Sequence, residues 1–307
     1  MKLSICIPVY NGSETIAPLV RALDATFKDM DIEVVLVNDG SRDSSAAVCK
    51  NLVAQYPYVV FVDLRRNFGE HNAVMCALNH CSGDYAVIID DDLQNPPEEI
   101  LKLLKEIQEG GYDVVYANYH TKKHHWFRNF GSKVNDKFAT WLIGKPKNLY
   151  LCSFKMINRA MIDEIIRYNG PFPYVDGLLL RATNSISSVF VEHHSRTVGT
   201  SNYTLGKLLN LWLSMFINFS IKPMRFIMGT GLVISVLAFF LAIFFVIEKI
   251  LHPEMVPGWT TLIVLVLFFG GLQSVFLGLI GEYIGKNYLD INKTPQWVVK
   301  DVHKSKS

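Results

Sequence analysis

The sequence predicts an α/β protein whose sheet is mostly parallel, followed by a segment of long apolar helices. Between Leu3 and Ala117, short apolar runs alternate five times with stretches whose apolar residues recur at helical spacing. This is the pattern of a parallel sheet covered on both faces. Further along, Phe226–Ile247 and Val256–Gly281 contain no charged residue. An uncharged run of about 18 residues or more is typical of a membrane span.

Local patterns place the individual elements. Apolar runs predict five strands, at Leu3–Tyr10, Ile32–Val37, Val59–Leu64, Tyr85–Ile89 and Asp113–Ala117. Helical spacing predicts the helices between them, at Ile16–Phe27, Ala46–Gln55, Asn72–His80 and Glu98–Glu109. After Ala117 the pattern weakens, and it predicts helices at Asn129–Ile143, Arg159–Arg167 and Gly177–Thr183, a late strand at Val189–His194 and a short returning strand at Gln296–Val299.

The stretch Val87–Pro97 carries the strongest chemical signal. An apolar run leads into Asp90, Asp91 and Asp92, and the pair Pro96-Pro97 then prevents the strand from continuing. The acids therefore lie in a turn at the carboxyl end of a strand, where open α/β sheets bind ligands. Adjacent carboxylates repel one another unless a cation compensates them, and hard oxygen ligands suit Mg²⁺ or Mn²⁺. The pattern favours a metal site over a solvated acidic turn.

The apolar C-terminal third predicts a membrane anchor after a globular domain of residues 1–204. Residues 205–225 are predicted to form an amphipathic helix in the membrane interface. Residues 226–281 then form a hairpin of two spans, 226–247 and 259–281, and residues 282–307 a cytosolic tail. Positive side chains flank the outer ends of the hairpin, at Lys222, Arg225, Lys286 and Lys293. This bias places both termini in the cytoplasm.

A stripe of small residues at the end of the second span and just beyond it, Gly278, Gly281 and Gly285, suits close contact between helices. It predicts a homo-oligomer assembled through the membrane helices.

Composition excludes several classes of function. The net charge is only +2, so bulk electrostatics does not point to nucleic acid. The five cysteines form no Cys-x-x-Cys pair and indicate reduced thiols in a cytosolic domain. The chain begins directly with a strand, and no signal peptide is predicted. The pairs His124-His125 and His193-His194 do not form a chelate for zinc, because neighbours on a strand point to opposite faces.

Several motifs, taken together, resemble those of family 2 glycosyltransferases with the GT-A fold. Within that family the chain is similar to the polyprenyl-phosphate glycosyltransferases, a group with dolichyl-phosphate mannose synthase, bactoprenol glucosyltransferase and undecaprenyl-phosphate formamido-arabinose transferase. The motifs run in order across nearly the whole chain, at Ile7–Asn11, Val37–Asp43, Arg65–Gly69, Gly83–Asp84, Asp90–Glu99, Trp126–Arg128 and Gly281–Gly285. Any one of them alone would be a weak signal.

The resemblance implies a nucleotide-sugar donor, with UDP a better match than GDP. It assigns nucleotide and metal binding to Asp90 and Asp92 of the Asp-x-Asp motif, with Gln94 as a further ligand of Mg²⁺ or Mn²⁺. The other residues expected at the donor site are Pro8, Tyr10, Asn11, Glu14, Asp39, Ser41, Arg66 and Asp91. Two alternatives stay open, because Asp39 could instead make an Asx turn before Gly40 and Arg66 could be a surface cation.

On the acceptor side, the resemblance implies basic and polar residues for a lipid phosphate, at Arg128, Lys133, Arg196 and Ser201. The segment Arg196–Tyr203 resembles an Arg-x-x-Gly-x-Ser-Lys-Tyr segment of the family, with Asn202 in place of the lysine. Asn148-Leu149 stand where relatives often carry an Asp. The segment Tyr174–Arg181 resembles the Glu-Asp-x-x-Leu-x-x-Arg helix start that many family 2 enzymes use for their base. This resemblance makes Asp176 the best remaining acid, so the expected catalytic set is Asp176, Asp92 and Arg128. An N-cap is the alternative role for Asp176, because Asp is a preferred residue at helix starts.

The expected activity is inverting transfer of a sugar from a nucleotide sugar to polyprenyl phosphate, such as undecaprenyl phosphate. The reaction would take place at the cytoplasmic face of the inner (plasma) membrane and give a lipid-linked monosaccharide for the cell envelope. A membrane-tethered, inactive glycosyltransferase-like subunit is the alternative. A processive synthase would need more spans and a Gln-x-x-Arg-Trp motif, and a dinucleotide oxidoreductase a Gly-x-Gly-x-x-Gly turn. The sequence contains neither motif.

Overall fold

The structure of the protein, a computed structural model, describes residues 1–119, 146, 149–194, 222–251 and 258–305. Several predictions lie outside the described residues. They are the helix at 129–143, the interfacial helix at 205–221, and the expected acceptor residues Arg128, Lys133, Arg196 and Ser201.

One mixed sheet organises the described part of the globular domain. Its strands are β1 Lys2–Val9, β2 Asp31–Asn38, β3 Val59–Leu64, β4 Tyr85–Ile88, β5 Val114–Tyr119, β6 Lys155–Asn158, β7 Ile186–Val191 and β8 Val299–Lys304. They pair in the order β7-β5-β6-β4-β1-β2-β3-β8. β1 is parallel to β2 and β4, β2 to β3, and β5 to β7, whereas β6 and β8 are antiparallel to their neighbours. The carboxyl ends of β1 to β4 therefore share one edge.

Helices cover both faces of this sheet. Those described in the globular domain are α1 Ile16–Thr26, α2 Ser45–Gln55, α3 Glu70–His80, α4 Glu99–Gly110, α5 Arg159–Ile165 and α6 Val175–Ala182. Successive strand residues point to opposite faces, so Ile5 and Ile7 pack with α1, α2 and α4 while Cys6 packs with α3, α5 and α6. Burial of both faces explains why the strands read as continuous apolar runs.

The strands and helices predicted between residues 3 and 117 are confirmed, with bounds that move by at most two residues. The mostly parallel sheet is confirmed only in part, because β6 enters between β4 and β5 in the antiparallel sense. The sequence did not predict β6 as a strand. It is four residues long and begins and ends with the polar residues Lys155 and Asn158, so its apolar run is too short for a period to be read.

The C-terminal residues return to the sheet. Lys293–Ser307 belong to the same compact unit as Met1–Tyr203, and Thr204–Asn292 forms a second unit. The predicted returning strand is confirmed, but it begins at Val299, where the prediction ended. Gln296 is buried just before it, and its side-chain amide donates to the carbonyl oxygen of Gly170 (2.8 Å). The predicted tail 282–307 is therefore divided between the end of a helix and the edge of the sheet.

Two long helices, α7 Lys222–Leu251 and α8 Trp259–Ile291, form the described part of the second unit. Many of their apolar side chains are exposed, among them Met228, Leu232 and Val275. In the described part of the chain, one helical segment, Phe268–Ile291, is long and apolar enough to cross a membrane, with a mean hydropathy of 1.2. A hairpin of two spans stays a prediction.

Candidate active site

A cleft of about 450 Å³ opens at the carboxyl ends of β1, β2 and β4. Ten described residues line it: Pro8, Val9, Tyr10, Asp39, Asn67, Glu70, Asp90, Asp91, Asp92 and Ser153. Five of these ten carry a carboxylate, and none of the ten is Lys or Arg. Six of them were predicted from the sequence to serve the donor site. The structure thus brings together most of the acids and the β1 turn that the sequence pointed to.

The acidic turn is held by contacts from both sides. The hydroxyl of Ser153 donates to Asp90 Oδ2 (2.5 Å), and the backbone N–H of Gln94 donates to Asp92 Oδ1 (3.1 Å). Leu93 between them has a φ of +59°, a conformation that side chains other than glycine adopt rarely. This bend turns the chain from β4 toward α4, so that the acids face the cleft.

Gly12 lets the β1 loop approach the acidic turn closely. A Cβ atom at this position would lie 1.9 Å from Asp91 Oδ2, so a side chain here would displace that carboxylate. The N–H of Gly12 donates to Ser45 Oγ at the start of α2 (2.9 Å). Glycine at this position therefore allows the β1 loop to lie directly against the Asp91 side chain.

Asn11 and Ser41, two predicted donor residues, join the loops behind the rim of the cleft instead of lining it. The N–H of Asn11 donates to Ser41 Oγ (2.9 Å), and the N–H of Arg42 donates to Asn11 Oδ1 (2.9 Å). These bonds fix the position of Tyr10, the preceding residue. The predicted contact Glu14 is exposed and lies outside the described lining.

Asp39 clamps the loop that follows β3. Its two carboxylate oxygens accept hydrogen bonds from the backbone N–H groups of Phe68 (2.7 Å) and Gly69 (2.9 Å). Burial raises the pKa of Asp39, and these two bonds oppose that rise. The alternative of an Asx turn is therefore wrong, because the side chain reaches across to another loop. A nucleotide contact stays a prediction for this residue.

Gly40, the residue after Asp39, also lies very close to the loop that follows β3. A Cβ atom on Gly40 would lie 2.4 Å from backbone atoms of Arg66 and Asn67, and Gly40 has a φ of +62°. The guanidinium of Arg66 lies over the ring of Phe68, 4.7 Å from its centroid, and the residue is exposed. Arg66 is outside the described cleft lining, so a contact with the donor diphosphate stays a prediction.

Four lining residues were not predicted individually from the sequence: Val9, which lies between the predicted residues Pro8 and Tyr10, and Asn67, Glu70 and Ser153. Desolvation in the cleft, followed by the charge of Asp90, raises the pKa of Glu70 to about 7, although its side chain stays open to solvent. Asn67 belonged to a motif that was recognised, and Glu70 follows it directly. That adjacency is the signal that could have found them, whereas Ser153 reaches the site only through tertiary packing.

Asp176 lies in the first turn of α6, buried beside a cation. It forms an ion pair with Lys155 Nζ and accepts a hydrogen bond from the hydroxyl of Tyr116 (2.9 Å). The N-cap of α6 is Tyr174, with no side-chain capping bond, so the predicted capping alternative is wrong. Asp176 is not among the described lining residues, and its catalytic role stays a prediction.

Gln94 points toward the end of β7. Its side-chain amide N–H donates to the backbone carbonyl oxygen of His194 (3.3 Å), and its backbone carbonyl oxygen accepts from the backbone N–H of His194 (2.8 Å). Gln94 is outside the described cleft lining, where Asp90 and Asp92 are found, so its role as a metal ligand stays a prediction.

Residues 4–166 match the family model described as glycosyl transferase family 2. The undecaprenyl-phosphate 4-deoxy-4-formamido-L-arabinose transferases of Enterobacter sp. (strain 638) and Serratia proteamaculans (strain 568) are each 34% identical over 307 residues. The alignments cover 98% of this chain and 93% and 94% of those relatives. The chain belongs to glycosyl transferase family 2.

The fold of this family 2 chain also resembles that of a solved structure. A glucosyl-3-phosphoglycerate synthase from Mycobacterium tuberculosis, crystallised with Mn²⁺, UDP-glucose and phosphoglyceric acid, superposes with a TM-score of 0.52. The match covers 71% of this chain and 79% of that one at 18% identity. At this identity the likeness concerns the fold alone, and it supports the GT-A-like α/β architecture.

The oxygen atoms that this family 2 site offers as metal ligands fit a divalent cation. Asp90 and Asp92 offer hard oxygen ligands on one turn of the cleft. Within the described ranges, no three His, Cys, Asp or Glu side chains form a ready-made metal cluster. Mg²⁺ sites usually combine one or two carboxylates with water and substrate phosphates, so the two aspartates meet that requirement.

Proposed function

We propose that this protein transfers a sugar from a nucleotide sugar, a UDP-sugar by motif resemblance, to undecaprenyl phosphate. The observation that carries the proposal is the extent of the similarity to the undecaprenyl-phosphate transferases, which reaches 98% of this chain. It extends past the cleft and includes the long apolar helices. A donor cleft combined with apolar helices suits a reaction between a water-soluble donor and a lipid acceptor.

On the donor side, Pro8 to Tyr10 and Asp39 would hold the nucleoside, and Asp90 and Asp92 would hold the cation. When bound, Mg²⁺ or Mn²⁺ would neutralise the charge that develops on the leaving nucleoside diphosphate. The bonds from the amides of Phe68 and Gly69 to Asp39 would hold the loop between the lining residues Asn67 and Glu70 in place before the donor arrives. A loop that is held in place in advance does not need to rearrange during the reaction.

On the acceptor side, the chemistry needs little help from a base. A phosphate monoester has a second pKa of about 6, so the lipid phosphate is mostly a dianion at neutral pH. Its oxygen would form the new bond to the anomeric carbon as the bond to the nucleoside diphosphate breaks, which inverts the configuration. Arg128, Lys133, Arg196 and Ser201 are the residues proposed to hold that phosphate.

The connectivity of the chain supports the proposed topology in the inner membrane. Because β8 pairs with β3, the chain leaves and re-enters the same compact unit on either side of α7 and α8. The number of membrane crossings between those points must be even, which is consistent with a hairpin and two cytoplasmic termini. A protease added outside intact cells should then cut only between residues 248 and 258. Cleavage of the segment 293–307 from outside would contradict this topology.

The alternative of an inactive subunit is not favoured, because Asp90 and Asp92 are present and the full-length relatives are named as transferases. The test is to incubate the purified protein with undecaprenyl phosphate, Mg²⁺ or Mn²⁺ and a panel of UDP- and GDP-sugars. We expect one donor to give a product whose mass equals the lipid phosphate plus one sugar. The anomeric configuration of that product, compared with the donor, tests inversion.

Two controls make this test decisive. EDTA should abolish product formation if a divalent ion is required, and added Mg²⁺ or Mn²⁺ should restore it. A short-chain alcohol phosphate tests whether the lipid tail is needed. No lipid-linked product from any donor, with a protein that is folded and binds a nucleotide, would contradict the proposal.

A further inference from the structure

The last strand of the chain, β8, lies beside the loops of the donor cleft. It pairs with β3, from Val60 opposite Lys304 to Leu64 opposite Val299. Where that pairing ends, the N–H of Arg65 donates to the carbonyl oxygen of Val298 (2.9 Å). Arg65 opens the loop whose Phe68 and Gly69 amides are held by Asp39. The strand thus fixes the beginning of a loop whose end belongs to the cleft.

A side-chain contact leads from β8 into the sheet. Lys300 Nζ donates to Asp63 Oδ2 (3.0 Å), and Asn38 Nδ2 donates to Asp63 Oδ1 (2.7 Å). Asp63 and Asn38 are both buried, whereas the side chain of Lys300 is about half exposed. Asp63 therefore joins the C-terminal strand to the last residue of β2.

From Asn38 the contacts continue to the rim of the cleft. Asn38 Oδ1 accepts the N–H of Ser41 (3.3 Å), and Ser41 Oγ accepts the N–H of Asn11 (2.9 Å). Asn38 precedes Asp39, and Asn11 follows Tyr10; Asp39 and Tyr10 both line the cleft. A series of hydrogen bonds therefore links Lys300, Asp63, Asn38, Ser41 and Asn11, in that order. It ends at the two loops that would hold the nucleoside.

The charge of Lys300 is the feature on which this series of hydrogen bonds is expected to depend. A buried carboxylate is costly unless it is paired, and it reorganises its neighbours when a partner is removed. Without the ammonium group, Asp63 would compete for other donors, and Asn38 is the one it already contacts. A rotation of the Asn38 amide would release Ser41, because its two ends serve Asp63 and Ser41 separately.

We propose that β8 is a positioning element of the donor site, and that Lys300 acts through Asp63 and Asn38 to hold the loops at Tyr10 and Asp39. This inference rests on the proposed function only in naming a nucleotide as the ligand. It makes nucleotide binding depend on a strand that follows the apolar helices in sequence. Neither Lys300 nor Asp63 is expected to touch the substrate, so their effect should fall on affinity and not on the chemical step.

The test uses the full-length protein in detergent and compares Lys300→Met with Lys304→Met, a matched change of an exposed lysine on the same strand. Amide hydrogen exchange is measured first, because it does not depend on activity. In Lys300→Met, peptides that contain Asn11, Ser41 and Arg42 should exchange faster, since those N–H groups end the chain of contacts. In Lys304→Met their exchange should match the unmodified protein, and Lys300→Arg should restore slow exchange.

Binding of UDP with Mn²⁺, measured by calorimetry, is the second readout. Lys300→Met should weaken it by about fivefold or more, in the range of ordinary coupling between sites, while Lys304→Met changes it less than twofold. Unchanged exchange and unchanged UDP affinity in Lys300→Met would overturn the proposal. Failure of the unmodified protein to bind UDP would count against the proposed donor, and the exchange result would still decide the role of β8. If Lys300→Met does not fold, Lys300→Gln takes its place.

Discussion

Carboxylates stand at both ends of the central strands, and their surroundings differ. Toward the amino ends, Glu33 on β2 accepts hydrogen bonds from Ser4 Oγ (2.5 Å) and Ser82 Oγ (2.8 Å) and pairs with Lys2 (2.8 Å). At the carboxyl ends, five acids line an open cleft. Among their described contacts, Asp39 and Asp90 accept bonds from neutral groups, two amides and one hydroxyl.

We interpret the difference as a division between acids that stabilise the protein and acids that are available to a ligand. Glu33 is enclosed with a cation and four hydrogen-bond donors, the hydroxyls of Ser4 and Ser82 and the backbone N–H groups of Ser82 and Gly83, so little is left for another molecule to bind. The acids of the cleft border a space of about 450 Å³, although Asp39 among them is itself buried. Asp176 tests this division, because it lies near the carboxyl end of β4 and yet is enclosed with Lys155. The comparison places it with Glu33, whereas its motif placed it in the catalytic set.

The largest effect on stability is expected at Asp176. Asp176→Asn leaves the ammonium of Lys155 buried without its counter-charge, which should lower the free energy of unfolding by about 3 kcal/mol or more. The double variant Lys155→Met/Asp176→Asn removes both charges and should recover most of this loss. Denaturant unfolding of the three proteins measures the effect.

Turnover in the same double variant separates the two roles of Asp176. A structural ion pair predicts that turnover at saturating donor stays within about tenfold of the unmodified protein. A larger loss in a variant whose stability has been restored would assign Asp176 the catalytic role and break the division between the two groups of acids.

The next effect is on activity, at the acid expected to hold the cation. Asp92→Asn should lower kcat by about 100-fold or more with no loss of stability, because the charge of the leaving diphosphate would lose its compensation. Glu98→Gln is a suitable control, since Glu98 is exposed, close in sequence and outside the described lining. A fully active Asp92→Asn protein, or full activity in EDTA, is the result that would remove Asp92 from the metal site.

The acids of the cleft were largely visible in the sequence, whereas the enclosed acids depended on tertiary contacts. The run from Val87 to Pro97 indicated a strand, a stop and three acids in a turn, because local chain chemistry alone determines them. Nothing in the local pattern could show that Lys155 would be buried next to Asp176, since the two residues meet only through the pairing of β6. The short strand β6 itself escaped prediction for the same reason, because its place depends on β4 and β5 and not on its own period.

A smaller stability effect is expected at the enclosed acid of the opposite end. Burial alone would raise the pKa of Glu33, but hydrogen bonds from Lys2, Ser4 and Ser82 outweigh it and lower the pKa to about 2, from an ordinary value of 4.5. A depressed pKa adds stability above pH 4.5, and that contribution is lost as the pH falls toward 2. Glu33→Gln should therefore destabilise the protein at pH 7 by about 2 kcal/mol, and the difference should shrink at pH 3. A pH-independent difference would show that the carboxylate charge contributes little.

The smallest of these effects should arise where the two loops of the cleft approach most closely. In Gly12→Ala the new methyl group would lie 1.9 Å from Asp91 Oδ2, so the Asp91 side chain must turn away. That oxygen atom is buried, but it belongs to a flexible side chain that also lines the cleft, so the side chain can turn toward the cleft and the melting temperature should fall only slightly. Donor affinity should fall about tenfold, equivalent to about 1.4 kcal/mol, because the displaced carboxylate would enter the space of the nucleotide.

Gly12→Val should lose more, as the larger side chain also meets Thr15 Oγ1, 3.3 Å from the Cβ position. Titration with UDP and Mn²⁺ measures both variants. Equal affinity in the alanine variant would mean that the bound donor lies away from Asp91, and the carboxyl-end acids would then divide further, into those that touch the ligand and those that shape the turn.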